Sequence, residues 1–338
     1  MTTLDIFRNN AFSVTSLTDA INKVPFIPGK TGQLGIFTES GVATTSIMIE
    51  EREGTLALIP TSPRGSPATQ NKHGKRTARA MVIPHTALED TIMADEVQDV
   101  REFGSEAALQ GVQRVVNDRL GEMAGKHDAT LEHLRIGAIK GQVLDSDGAT
   151  VLYDLFSEFG VTQYDEINFD LANAAAAKGA IKKKCHEIKR QIEDALGAAP
   201  YTEIHAFCSS GFFDGLVTHP DVTKAYDRFQ ESIFLRQGQA RGQFDYAGIV
   251  FEEYRGSVNG EDFIADGAVH FFPVGTPGLF KQYNGPADFV ETVNTIGLPR
   301  YAKQAIDDEF GRWVKLHTQA NPLPLCTRPK VLIKGKAG

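Results

Sequence analysis

Leu109-Gln-Gly-Val112-Gln-Arg-Val-Val116-Asn-Asp-Arg-Leu120-Gly-Glu-Met123-Ala-Gly-Lys-His127-Asp-Ala-Thr-Leu131-Glu-His-Leu134-Arg-Ile-Gly-Ala138 places an apolar or aromatic group at every third or fourth position. That spacing keeps one stripe of an α-helix buried along its whole length. Gly104-Ser105 offers an N-cap with Glu106 in the first turn, so the helix is expected from Gly104 to Gly141. At 1.5 Å per residue it would span about 55 Å, against an ordinary helix of about 11–12 residues. Gly111, Gly121 and Gly125 each cost a helix interior up to ~1 kcal/mol. Tertiary packing must therefore hold the helix, and a bend near Gly121 to Gly125 is expected. Leu120 and Leu131 lie on the stripe where a carboxylate would do most harm.

Upstream, Met1 to Thr38 mixes short apolar clusters with Pro25, Pro28, Gly29, Gly32 and Gly35, has no sustained period, and reads as an extended arm. Strands are expected at Thr44 to Glu51, Thr55 to Ile59 and Ala78 to Ile83. Between the last two, Ser62 to Thr77 lacks any large apolar residue and contains Arg64, Lys72, Lys75 and Arg76. With no core of its own, it reads as a protruding hairpin that a neighbour orders. Downstream, Asp145-Ser-Asp147-Gly148 is a turn into a strand at Thr150 to Leu155, and a helix is expected from Phe169 to Leu196. A strand at Thr202 to Cys208, short helices from Ser210 and His219-Pro220, and a hairpin around Asn259-Gly260 follow. The spacing predicts a last helix over Tyr301 to Leu316, then an extended Asn321-Pro-Leu-Pro-Leu and a strand from Pro329.

Composition bounds the function. A net charge of −8 argues against a protein that grips nucleic acid along its phosphates. Three cysteines without CxxC spacing suit a reducing compartment and buried thiols. No apolar stretch reaches the ~20 residues of a membrane span, and residues 1–10 lack a signal-peptide pattern. Gly29-Lys30-Thr31 has the end of a phosphate-binding loop, but the glycine it needs five residues earlier is Val24. Asp145-x-Asp147-Gly148 lacks the bidentate glutamate of a calcium loop, where Phe156 stands. His205 and Cys208, three apart on a strand, point to opposite faces. No catalytic, cofactor or metal residues are assigned.

In order along the chain, several segments resemble the lambda E-type major capsid protein family of tailed bacteriophages. They are Leu17-Thr-Asp-Ala-Ile-Asn, Arg64-Gly-Ser-Pro, Thr130-Leu-Glu-His-Leu-Arg-Ile-Gly-Ala-Ile-Lys-Gly with Asp145-x-Asp147-Gly148, Phe272-Pro-Val-Gly with Gly278-Leu-Phe, and Asn321-Pro-Leu-Pro-Leu. The resemblance spans nearly the whole chain and rests on the shared order of short strings. It implies an α+β, HK97-like capsid fold. Residues 1–38 would be the N-arm, 39–103 the extended β-hairpin loop and its flanks, and 104–167 the spine helix with a peripheral-domain segment. Residues 168–285 would be the axial domain, and 286–338 the peripheral-domain return and C-terminal strand.

The function so implied is mechanical: self-assembly, in the host cytoplasm, of hexamers and pentamers into the icosahedral shell of the virion. Portal, scaffold and decoration proteins are the implied partners, with only weak nonspecific contact to packaged DNA, no membrane and no enzymatic activity. An encapsulin-like nanocompartment shell is the alternative on the same fold, and a soluble oligomeric enzyme is the third class. Arg64, Lys72, Lys75, Arg76 and Arg79 form a cationic run without an intervening acid, while Glu89, Asp90, Asp95, Glu96, Asp99 and Glu102 are acidic and relieved by Arg101 alone. The expectation is that the basic run of one subunit rests on acidic surface of a neighbour; simple solvation is the alternative in an isolated subunit.

Overall fold

The computed structural model describes residues 14–23, 29–52, 76–97, 112–173, 178–226, 243–258, 260–306 and 310–338. The N-terminal part holds helices α1 (Val14–Lys23) and α2 (Lys30–Gln33), strand β1 (Thr38–Gly41), hairpin strands β2 (Ser46–Arg52) and β3 (Arg76–Val82), strand β4 (Thr86–Met93) and helix α3 (Ala94–Val97). The long helix α4 (Val112–Lys140) leads into β5 (Gln142–Leu144), β6 (Val151–Asp154), α5 (Leu155–Phe159), β7 (Ile167–Asn168) and α6 (Ala180–Leu196). There follow β8 (Glu203–Cys208), α7 (Ser210–Thr218), β9 (Gln243–Tyr246), β10 (Ile249–Glu253), β11 (Ser257–Val258), β12 (Glu261–Asp262) and β13 (Ala268–Val274). The last strands are β14 (Phe280–Asn284), β15 (Tyr301–Ile306), β16 (Trp313–Ala320), β17 (Pro322–Cys326) and β18 (Ile333–Lys336).

Helix α4 has 29 residues, or about 43 Å, because it serves two cores. Its first half buries Val116, Leu120, Met123 and Ala124 against Leu17 and Ile21 of α1, Ile92 of β4, Ala302 of β15, and Val314 and Leu316 of β16. Its second half sends Leu134, Ile136, Ala138 and Ile139 into the main core. Of the expected stripe, Val116, Leu120, Met123, His127, Leu134 and Ala138 are buried and Leu131 is half-buried. Leu109 and the expected start at Gly104 lie outside the described residues. A Cβ at Gly121 or Gly125 would meet no atom within 4 Å. Packing requires neither glycine, so both simply loosen the helix.

The main core lies around a six-stranded sheet of order β7-β18-β13-β8-β10-β9. It is parallel at β7–β18 and β8–β10 and antiparallel elsewhere. Residues 204–208 of β8 are all buried, the continuous pattern of a strand covered on both faces. Helix α6 packs on β13 and buries Ile181, Cys185, Ile188, Ile192 and Leu196, a stripe at helical spacing. A second sheet, β15-β16-β4, backs the first half of α4, and a third, β1-β14-β17, joins β1 in parallel to β14. Pro322 and Pro324 stand two apart on the outer strand β17, opposite Asn284 and Gln282. There both missing N–H groups face away from the ladder.

Three expectations need correction. Tyr301 to Leu316 is not a helix but strands β15 and β16. Along β16 the residues alternate between partly and fully buried up to Thr318, and the strand pairs on both sides, so pairing outweighs local helix preference. The helix expected from Phe169 begins only at Ala180. Phe169 and Leu171 instead donate main-chain N–H groups to Lys336 O (2.8 Å) and Ala337 O (2.7 Å). The N-terminal segment also contains the helix α1, whose Leu17 and Ile21, four apart, fill the small core. The expected strand at Thr55 to Ile59 lies outside the described residues.

Two buried histidines are expected to make the fold acid-sensitive. His127, bonded through Nε2 to Thr318 Oγ1 (2.9 Å), is held down to about 4 by burial and then by nearby Arg300 and His317. Burial, then Lys140 and Lys334, hold His270 down to about 3. Both pKa values lie below the ordinary 6.5, so unfolding takes up protons wherever the folded imidazoles are neutral and the unfolded ones charged. Stability should be flat above pH 6.5 and fall as pH drops from there toward 4 and 3. Denaturant midpoints of the subunit between pH 7.5 and 4 check this. The His127→Gln/His270→Gln double variant should show a shallower slope, and an identical slope would exclude these residues as its source.

Candidate functional site

The base of the β2–β3 hairpin is fixed to its own subunit. Its register runs from Ser46↔Val82 to Arg52↔Arg76. Ile47 and Met81 point into the core while Met48 and Val82 on the other face are exposed, as the two-residue period of a strand requires. Tyr153 Oη donates to Val82 O (2.6 Å). Arg79 Nη2 donates to Phe159 O (3.1 Å), with the guanidinium 5.1 Å from the Phe159 ring centroid. Arg79 thus braces the hairpin root against α5. Arg76 opens β3, and Arg64, Lys72 and Lys75 lie outside the described residues.

Part of the acidic stretch is neutralised within the subunit. Glu89 meets Lys315 and lies 3.0 Å from His317 Nδ1. Hydrogen bonds from these two partners hold its carboxyl below the usual range. Asp90 and Glu96 lie 3.7 and 3.4 Å from the Arg119 guanidinium. Asp95 is exposed, and Asp99 and Glu102 lie outside the described residues.

The residues that join the parts of the subunit escaped the sequence reading. Beside the apolar stripe of α4 runs a charged one, Asp128, Glu132 and Arg135, all buried. Asp128 Oδ1 accepts from Arg300 Nη2 (2.6 Å), and Arg300 Nη1 donates to Ile21 O of α1 (3.0 Å). Glu132 Oε1 accepts the Thr31 N–H (3.1 Å) and the Tyr254 hydroxyl (3.1 Å), and Oε2 accepts the Thr31 hydroxyl. Gly29 is needed beside it, since a Cβ there would stand 2.2 Å from the Glu132 carboxyl carbon. Arg135 Nη2 lies 2.5 Å from Glu39 Oε1 of β1, and its Nε donates to Gln282 Oε1 of β14 (2.8 Å).

Gly29-Lys30-Thr31, which failed as a phosphate loop, therefore serves two buried carboxylates. Lys30 Nζ reaches Glu252 Oε1 of β10 at 2.5 Å. Of the segment from α1 to β1, Thr31 and Glu39 bond the spine helix directly and Ile21 is tied to it through Arg300, so its described parts form a strap that also reaches β10 through Lys30. The signal for this was the spacing 128, 132, 135, which repeats the helical period with charges in place of apolar groups.

These groups hold parts together and carry no visible chemistry. Burial raises the thiol of Cys185 to about 12, that of Cys326 to about 12, and that of Cys208 well above its ordinary value, which keeps them protonated. Asp147 Oδ1 accepts the N–H groups of Ala149 (2.9 Å) and Thr150 (2.8 Å), a plain turn. Among the described residues no group of His, Cys, Asp and Glu side chains could hold a metal ion, and no helix is long and apolar enough to cross a membrane.

Among the described residues, what remains is a helix spanning two cores, a strap and an anchored hairpin. The sequence model of phage major capsid protein E matches residues 13–337. The chain belongs to this capsid protein family. Major capsid proteins of Pseudomonas phage KPP10 and Salmonella phage Felix O1 are 29% and 27% identical to it; the alignments cover 97% and 98% of this chain and 97% of each relative.

Among solved structures, a prophage protein of E. coli CFT073 described as a capsid protein aligns with a TM-score of 0.58 at 13% identity, covering 96% of this chain and 99% of that one. The capsid of Ralstonia phage GP4 aligns with a TM-score of 0.55 at 10% identity, covering 91% and 89%. The fold is accordingly the HK97-like α+β capsid fold. The expected family and fold are borne out, and the protein is a phage major capsid protein and a component of the virion. Among the shell proteins considered, the family match selects the capsid over the encapsulin-like alternative.

Proposed function

We propose that copies of the chain close into the hexamers and pentamers of a head shell. In them, the basic segment of the β2–β3 hairpin, with Arg64, Lys72, Lys75 and Arg76, rests on acidic surface of a neighbouring subunit, and Arg79 braces its root. The observation that carries this reading is the hairpin itself, whose strands stay paired as far as Arg52↔Arg76 above an anchored base. Each such rim contact contributes only about 0–1 kcal/mol, but repetition over a shell sets register. On the same reading the axial domain is residues 168–285 and the peripheral domain is the spine helix with residues 286–338, whose last strand, β18, pairs with β13 in the six-stranded sheet.

Binding energy does the work on this reading and no reaction is catalysed. Portal, scaffold and decoration proteins are the further partners. The net charge of −8 suits a wall that touches packaged DNA weakly. Reversing Lys72, Lys75 and Arg76 together to glutamate should reduce particle yield severalfold, with a salt dependence, and leave the subunit's thermal midpoint unchanged. Electron microscopy and size exclusion of the triple variant check this. Parental assembly at both low and high salt would contradict the contact.

A further inference from the structure

The chain contains Asp-Gly bonds at Asp147, Asp214 and Asp266, and all three carboxylates are exposed. Such a bond can close on itself: the glycine nitrogen bonds to the aspartate Cγ, and the amide proton and the carboxyl hydroxyl leave together as water. The succinimide ring then takes up water at either carbonyl. Opening at Cγ restores aspartate, and opening at the former main-chain carbonyl leaves isoaspartate, with the backbone running through Cγ. No oxidant or cofactor enters. The rate depends on whether the fold holds the side-chain carboxyl against the following nitrogen.

Two of the sites are held away from this path. Asp147 Oδ1 accepts the N–H groups of Ala149 and Thr150, and Oδ2 accepts the Thr150 hydroxyl (2.6 Å). These bonds, the hydroxyl's first, keep its carboxyl below the usual range, and an ionised carboxylate has no hydroxyl to lose. The Gly148 N–H is itself committed to Asp145 O (3.0 Å). Asp214 lies inside α7, where the helix turns side chains toward its N-terminus and commits the Gly215 N–H to the preceding turn.

Asp266 is different. The Gly267 N–H donates to Oδ1 of that same aspartate at 2.9 Å, so Cγ is one bond from an atom already in contact with the attacking nitrogen. The surroundings fix both groups. The Ala268 N–H donates to Ala265 O (3.0 Å), closing a turn in which Gly267 has φ of 70°, and the Ala337 N–H donates to Gly267 O (2.8 Å). The carboxylate fills the space left by Gly211 at the start of α7, where a Cβ would stand 2.4 Å from Oδ1. Asp145 meets the Ser146 N–H similarly (2.7 Å), but a serine side chain crowds the ring closure that glycine leaves open. Of the Asn-Gly bonds, Asn284-Gly285 has a buried asparagine and a Gly285 N–H committed to Asn321 O (2.9 Å). Asn259 lies outside the described residues.

We propose that the fold selects Asp266-Gly267 as a site of spontaneous isoaspartate formation. The added backbone methylene falls in the turn that enters β13 and is tied to the C-terminal segment through Gly267 O and Ala337. A virion component is not renewed once assembled, so a slow change at one bond accumulates with the age of the particle.

The purified full-length chain, aged under native conditions and in denaturant, tests this by peptide mapping with enzymatic methylation of isoaspartate. In the native chain isoaspartate should build up at Asp266 at least about tenfold faster than at Asp147, Asp214 or Asp145. In denaturant the three Asp-Gly sites should agree within about threefold, since the geometry that separates them is gone. Asp266→Asn keeps the size and the Oδ1 acceptor but offers ammonia as the leaving group, so it should deamidate at least about tenfold faster than the parent isomerises. That change adds mass, whereas isomerisation does not. Equal native rates at the three Asp-Gly sites, or a lead at Asp145 or Asp147, would overturn the proposal. So would an excess at Asp266 that persists in denaturant, or an Asp266→Asn chain that ages without deamidating there.

Discussion

Leu120→Asp is expected to yield no soluble folded subunit. Leu120 is 2% exposed, in a small core otherwise made of Leu17, Ile21, Ile92, Val116, Met123, Ala124, Ala302, Val314 and Leu316. An aspartate there loses the leucine's burial and places a carboxylate among apolar groups, at a cost of several kcal/mol. Typical domain stability is only about 5–15 kcal/mol, and this core joins α1, the spine helix and the β15-β16-β4 sheet. Leu120→Met, which conserves volume, should cost less than about 1.5 kcal/mol. Soluble yield and circular dichroism separate the two variants. Normal particles from Leu120→Asp would mean that the helix buries a different face.

The second large effect is expected at the Asp128–Arg300 pair, whose side chains are 6% and 7% exposed. Asp128→Ala strips a buried guanidinium of its carboxylate, and such losses cost about 3–5 kcal/mol. The hydrogen bond from Arg300 to Ile21 O remains, but it brings no countercharge. Replacing both partners, Asp128→Leu with Arg300→Met, removes the charges together and should cost less than either single loss. Denaturant unfolding of the subunit measures all three variants. Single-variant losses below about 1 kcal/mol would show that water already reaches the pair well enough to solvate it.

These two sites differ in how far sequence foretold them. The apolar stripe of α4 was legible because burial imposes a period, and the spacing of Val116, Leu120 and Met123 carries it without knowledge of the partner. α6 was legible by the same rule, although its start was not. Phe169 and Leu171 continue its apolar character, yet they are bonded to the C-terminal strand, a neighbour far away in sequence. Tyr301 to Leu316 misled for a related reason, since strand pairing with β4 depends on residues more than two hundred positions upstream.

The strap was invisible for a different reason. Its anchors are charged, and a charged residue in a helix is ordinarily solvent-facing. Only the repeat at 128, 132 and 135 hints otherwise. The basic run of the hairpin was plain in the sequence, and the structure adds that Arg79 is held at its root by Phe159.

Electron microscopy of the purified full-length chain, paired with size exclusion, tests the central claim most directly. A shell-building subunit predicts closed particles of megadalton mass, with a wall one subunit thick, forming above a threshold concentration. A discrete species of a few subunits at every concentration, with no closed particles by microscopy, would contradict it.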